Sequence, residues 1–209
     1  MSHRALGFAA GNELPAFLLQ LQNVEDLQFT IPNSKSPLAD FKFPPVRLTR
    51  LRFLKLSVAF PGVIFSWFEL PLLEHLWLDY CNCSNDNSDA CQKELSSLID
   101  RSSCRIRQLT LECFFGKVAR RIMKTLANVE EFYIKHLVLH PRIVRKIAYS
   151  FYMPKIRVLQ VNCCLECFGG IAADLSRRLE VRSRESTTLS AWDTVPLERL
   201  TIRVDWGKL

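Results

Sequence analysis

The chain has 209 residues, 48% of them apolar and 23% charged, and a formal net charge of +7. That composition is globular rather than disordered, and the length fits one ordinary domain or a small elongated array. No apolar run approaches the roughly 18–20 residues that a membrane-spanning helix needs. Gly11, Asn12, Glu13 and Pro15 interrupt the N-terminal apolar patch before a signal-peptide core forms. The protein is therefore expected in the cytoplasm or nucleus with reduced thiols, and the sequon Asn82-Cys83-Ser84 then carries no weight.

An amphipathic helix is predicted over 13–22, ELPAFLLQLQ, from apolar residues three and four apart. It leads into Val24–Leu27–Phe29, an apolar-x-x-apolar-x-apolar pattern. The pattern returns as Leu51–Leu54–Leu56, Leu73–Leu76–Leu78, Ile106–Leu109–Leu111, Val129–Phe132–Ile134, Ile156–Leu159–Val161 and Leu197–Leu200–Ile202. The middle residues fall at 27, 54, 76, 109, 132, 159 and 200, so successive steps are 27, 22, 33, 23, 27 and 41. Four of the six lie within the 20–29 residues of leucine-rich repeats. The two long steps contain CNCSNDNSDACQ at 81–92 and SRESTTLSAWDTVP at 183–196, polar and turn-rich stretches predicted as inserted loops.

Each repeat predicts a strand in which the last two apolar residues point inward and their neighbours outward. The apolar residue three positions earlier seals the turn into the strand. Proline precedes it in Leu70-Pro71, Met153-Pro154 and Val195-Pro196, ending what came before and favouring extended backbone. Further helices are predicted over 91–103, 116–127, 141–151 and 169–180, while PGVIFSWFEL at 61–70 is too short and aromatic to be read as one. Alternating strands and helices imply parallel strands joined by right-handed crossovers. The expected fold is α/β: a leucine-rich repeat solenoid of about seven irregular strand–helix repeats, with a curved parallel sheet on the concave side. Residues 1–209 form a single domain in this reading, with 1–23 as N-terminal helix and cap.

Eight cysteines and four histidines raise the question of a metal site. Cys164 and Cys167 have Cys-x-x-Cys spacing, but a second pair among Cys81, Cys83 and Cys91 lies three repeats away. His136 and His140 are followed by Pro141 and are not expected to share a helix face. A thioredoxin-like redox pair needs a different strand order around its helix. Cys164 instead falls where leucine-rich repeats place Asn or Cys after the strand, as Cys81 does three repeats earlier, which suggests a buried thiol filling a turn. There is no Gly-x-Ser-x-Gly elbow and no phosphate-cradling glycine loop, and the neighbours Glu130 and Glu131 point apart on a strand. No enzyme activity, metal or cofactor is expected.

The runs LPLLEHLWLDYCNC…CQKELSSLIDRSSCRIRQLTLECFF, MPKIRVLQVNCC and PLERLTIRVDW resemble the leucine-rich repeat regions of F-box-type proteins from mushroom-forming fungi. The likeness covers about residue 24 to the C-terminus. Its less common elements are the Arg-Ser-Ser-Cys junction and the closing Pro-Leu-Glu-Arg-Leu. The resemblance implies a substrate receptor of a Skp–cullin–F-box ubiquitin ligase. Of an F-box opening, only Glu13-Leu14-Pro15 is faintly similar, and the first repeat strand begins within ten residues of it. The expectation is therefore a receptor part that reaches the Skp–cullin machinery only through an F-box upstream.

Repeat proteins bind partners on the concave strand face. Its expected partner-binding residues are Lys55, His75, Trp77, Asp79, Glu112, Tyr133, Lys135, Gln160 and Arg203, with Trp77 and Tyr133 as aromatic hot spots. Thr110 is counted among the outward residues of the same face. A target protein is the expected partner of a monomeric chain. The basic stretches KVARRIMK (117–124), PRIVRKI (141–147) and SRRLEVRSR (176–184) alternate with apolar residues, which reads as solvated helix faces. Nucleic-acid binding or a general scaffold role through those helices is the alternative.

Overall fold

The computed structural model of the protein describes residues 13–30, 44–58, 61–79, 88–112, 116–135, 154–164 and 198–205. The architecture is α/β, with a parallel sheet of seven strands that is not closed into a barrel. By its internal contacts the chain divides into two units, residues 1–105 and 106–209.

In the first unit the order is α1 (Glu13–Leu19), β1 (Asp26–Thr30), β2 (Val46–Arg47), β3 (Phe53–Ser57), α2 (Pro61–Phe65), β4 (Phe68–Glu69), β5 (His75–Asp79) and α3 (Ser88–Ser102). Strands β1, β3 and β5 run parallel, with Leu27 opposite Leu54 and Leu54 opposite Leu76. Phe29, Leu56 and Leu78 form the next apolar row. Strict alternation sends these six side chains inward, where all are buried, and leaves the residues between them half-buried or exposed. Their interior is filled by Phe65, Trp67, Phe68, Leu95 and Leu98, and Phe29 meets Trp67 edge to face with centroids 6.2 Å apart.

The second unit continues with β6 (Gln108–Glu112), α4 (Gly116–Thr125), β7 (Glu131–Lys135), β8 (Val158–Cys164) and β9 (Arg199–Asp205). Its rows are Leu109–Phe132–Leu159–Leu200 and Leu111–Ile134–Val161–Ile202. Ala119, Ile122 and Met123 of α4 are fully buried, as the helical spacing of its apolar residues requires. All seven strands sit where the repeat predicts them. The sealing role of the first apolar residue is also visible. The N–H groups of Val24, Leu73 and Val129 close turns onto the carbonyls of Leu21, Leu70 and Leu126, three residues back.

Immediately before each strand of the seven-stranded sheet stands a charged residue whose sign alternates through the chain: Glu25, Arg52, Glu74, Arg107, Glu130, Arg157, Glu198. In the first unit the Glu25 carbonyl accepts from the N–H groups of Arg52 and Phe53, and that of Arg52 from Glu74 and His75. The second unit repeats the arrangement through the carbonyls of Arg107, Glu130 and Arg157. Side chains on adjacent rungs then pair: Arg52 with Glu74 at 3.3 Å, Arg107 with Glu130 at 4.0 Å and Arg157 with Glu198 at 2.6 Å. Exposed pairs of this kind are worth about 0–1 kcal/mol each. Their larger effect is on order, since sliding by one repeat sets like charges opposite one another.

Several local expectations are corrected. The predicted loop 81–92 is helical over its last residues, because α3 begins at Ser88 with Asp89 in its first turn, where a carboxylate favours the helix N-terminus. Residues 61–70 hold a one-turn helix, α2, followed by β4, which pairs in parallel with β2 as a separate two-stranded sheet. Helix α1 stops at Leu19 and α4 at Thr125, two to three residues short of their predicted ends. Gln20 and Leu21 turn back onto Phe17 and Leu18, and the Thr125 hydroxyl donates to the Arg121 carbonyl. The predicted helices 141–151 and 169–180 and the loop 183–196 lie outside the described residues.

Arg-Ser-Ser-Cys at 101–104 is a structural clamp within the first unit. Arg101 donates through Nη2 to the carbonyls of Phe65 and Phe68, both at 2.8 Å, and through Nε to Phe68 at 3.0 Å. The buried Ser102 hydroxyl accepts from the Leu70 N–H at 2.8 Å. Ser103 has φ of 49° and ends α3 in the left-handed conformation that glycine usually supplies. Cys104 is then buried.

Candidate partner-binding face

In the first unit the open side of β3 and β5 carries three cross-strand pairs: Phe53 with His75, Lys55 with Trp77, and Ser57 with Asp79. The Phe53 and His75 rings meet edge to face at 4.6 Å, and Phe53 meets Trp77 in the same way at 6.4 Å. The Lys55 ammonium lies 3.9 Å from the Trp77 ring centroid, a cation–π contact. The Ser57 hydroxyl donates to Asp79 Oδ2 at 3.1 Å. Lys55, His75, Trp77 and Asp79 are thus brought together as one half-buried patch. Trp77 stacks within the strand face, and its near-neighbour pairing follows from the parallel register. On β1, Asp26, Gln28 and Thr30 extend the same side and are exposed.

The open side of the second unit is more polar. Glu112 is in register with Lys135, Tyr133 with Gln160, and Asn162 with Arg203. The Tyr133 hydroxyl donates to Glu131 Oε2 at 2.9 Å, and Gln160 Nε2 donates to Asn162 Oδ1 at 3.2 Å. Partial burial, then the hydrogen bond to the Glu131 carboxylate and its charge, raise the Tyr133 pKa, while Arg199 opposes the shift. Tyr133 is therefore a phenol that donates at neutral pH. Thr110 stands on the open side in register with Tyr133, as the alternation predicts, but it is covered there and buried at 3% exposure. Arg199 and Arg203 on β9 are both exposed.

One sulfur expectation, the turn position of Cys164, is corrected, and two other thiols are buried. Cys91 sits on the inner side of α3 against Gly62, where an added Cβ would lie 3.2 Å from the Cys91 Cα. Burial pushes its thiol up to about 12, only partly offset by a hydrogen bond with the Gly62 backbone, so it stays protonated and is no ready metal ligand. Burial likewise pushes Cys104 up to about 11. Cys164 is in strand rather than turn, because β8 continues to that residue and pairs it with Asp205. Cys81, Cys83, Cys167, His136 and His140 lie outside the described residues. Among the described residues, no group of three or more His, Cys, Asp or Glu is placed to hold a metal ion.

The residues that repeat reasoning missed are those of the alternating charge ladder. They carry a signal readable at one fixed position per repeat, once the charged positions are aligned as carefully as the apolar ones. Comparison with models of protein families gives no match, and no curated protein compared with the chain matches it.

Proposed function

We propose that the chain is a leucine-rich repeat array acting as a non-enzymatic protein-interaction module, with the open strand face as its recognition surface. Its most specific role is the substrate-receptor region of an F-box-type ubiquitin ligase, joined to the Skp–cullin machinery through an F-box upstream. The observation that carries the binding reading is the patch of Phe53, Lys55, His75 and Trp77, held in contact by cross-strand register. Half-exposed aromatics beside charges are the composition of interface hot spots. Repeat steps of 22, 23, 27 and 27 residues support the array.

Trp77→Ala combined with Tyr133→Ala is expected to weaken capture of a protein partner at least tenfold while leaving the circular dichroism spectrum unchanged. Full capture by the folded double variant would contradict the reading. Affinity for generic RNA or DNA that falls steeply between roughly 50 and 200 mM salt would favour the nucleic-acid alternative. The ligase role predicts that a Skp adaptor is retained by the chain fused to its upstream F-box and not by residues 1–209 alone.

A further inference from the structure

Two arginines on β9 differ from those that precede the strands. Arg107 and Arg157 are each engaged by a glutamate on the adjacent rung. Arg199 and Arg203 instead stand on the open side of β9, in register with Val158 and Asn162, and are exposed. Neither faces a carboxylate across the strand pair. Four residues of strand set them about 13 Å apart on one face. Asn162, beside Arg203, accepts through Oδ1 from Gln160 Nε2, and its amide N–H groups add donors next to Arg203. The patch thus presents two exposed guanidiniums on one strand face.

We infer that this part of the face takes an extended, acidic peptide segment of the partner, with carboxylates at i and i+4 paired to Arg199 and Arg203. An extended peptide advances about 3.3 Å per residue, so two acidic residues four positions apart match the backbone spacing of Arg199 and Arg203. Guanidinium is the side chain best matched to a carboxylate, through two parallel N–H donors. A nucleic acid fits less well. Glu131 shares the open face with Arg199, two strands away or roughly 10 Å. A backbone bearing a charge on every unit would be driven against that carboxylate, whereas a peptide carries charge only where its sequence places it.

The inference rests on the protein-binding reading above and is tested so that the two fail separately. A library of random linear peptides is displayed and selected on the full chain, on Arg199→Glu/Arg203→Glu and on Trp77→Ala/Tyr133→Ala, with Arg120→Glu on α4 as a control. Expected is at least tenfold enrichment of peptides with acidic residues at i and i+4 on the wild-type chain and the Arg120 variant. The β9 charge-reversal variant should select Lys and Arg at the same spacing, a change of sign that an unfolded variant cannot produce. Peptides that depend on Trp77 and Tyr133 but show no acidic preference would overturn this inference and leave the protein-binding reading in place. Recovery of no peptide, or of peptides indifferent to every face variant, would overturn both. Retention of a random RNA pool through Arg199 and Arg203 would overturn the peptide assignment in favour of a polyanion.

Discussion

The two units use one strand grammar to present two different surfaces. In the first, the open side of β3 and β5 is aromatic and its groups are engaged with one another: Lys55 on Trp77, Ser57 on Asp79, Phe53 on His75. In the second, the open side of β7 to β9 is polar, and Arg199 and Arg203 are held out toward solvent. The inward rows are apolar throughout, leucine and phenylalanine in the first unit and leucine, phenylalanine, isoleucine and valine in the second, because a packed interior must exclude water. The open positions face no such restriction. What differs between the units is therefore where recognition is expected, and what they share is where stability is expected.

The largest effects should come from the shared part. Leu76→Ala in the first unit and Leu159→Ala in the second each remove a fully buried side chain and should cost about 2–5 kcal/mol in urea denaturation. Leu72→Ala, at a residue 45% exposed, should stay within about 0.5 kcal/mol. Equal costs at Leu72 and Leu76 would break the assignment of faces.

Next is the clamp of the first unit. Ser102→Ala leaves the buried Leu70 N–H without its acceptor and should cost about 1–3 kcal/mol. Arg101→Lys should recover little of the loss from Arg101→Ala, because an ammonium cannot reproduce the planar fork that reaches two carbonyls. A lysine variant as stable as wild type would show that charge alone matters there.

A pH effect follows from the buried thiols. Cys91 titrates near 9.0 in an unstructured chain and near 12 in the fold. Its protonated form is thus favoured by folding, and that stabilisation is complete below about 9 and lost as the pH rises toward about 12. Cys104 adds a smaller loss in the same direction, ending near 11. Urea midpoints should fall across this window, and Cys91→Ala should flatten the decline. The smallest effect belongs to the charge ladder. Glu130→Arg, set against Arg107 and Arg157, should cost about 1 kcal/mol or less, and the cost should shrink in molar salt. Reversing Arg107, Glu130 and Arg157 together should restore the pairing between those three rungs.

The strands were legible because each repeat states its apolar positions twice, once in the alternation and once in the sealing residue that closes the turn. Leu27, Leu54 and Leu76 were placed inward by the same rule that puts them in register. The small sheet of β2 and β4 was not, since two residues a side leave no periodicity to read. Alternation put Thr110 on the open side, where its register with Tyr133 keeps it, but its burial there depends on neighbouring side chains and left no mark in the sequence. The start of α3 at Ser88 was obscured by a polar run in which turn residues and a first helical turn share a composition. Of the candidate face, the positions were legible, but the contacts that join Lys55 to Trp77 and Tyr133 to Glu131 depend on register and rotamer together.

The central claim is that a partner protein meets the open strand face. Its most direct test is site-specific photo-crosslinking, with a photoreactive phenylalanine analogue replacing Trp77, Tyr133 or, on α4, Arg120 in the full chain. The account predicts partner adducts from the positions of Trp77 and Tyr133 and none from that of Arg120. Adducts formed through the position of Arg120 alone would contradict it.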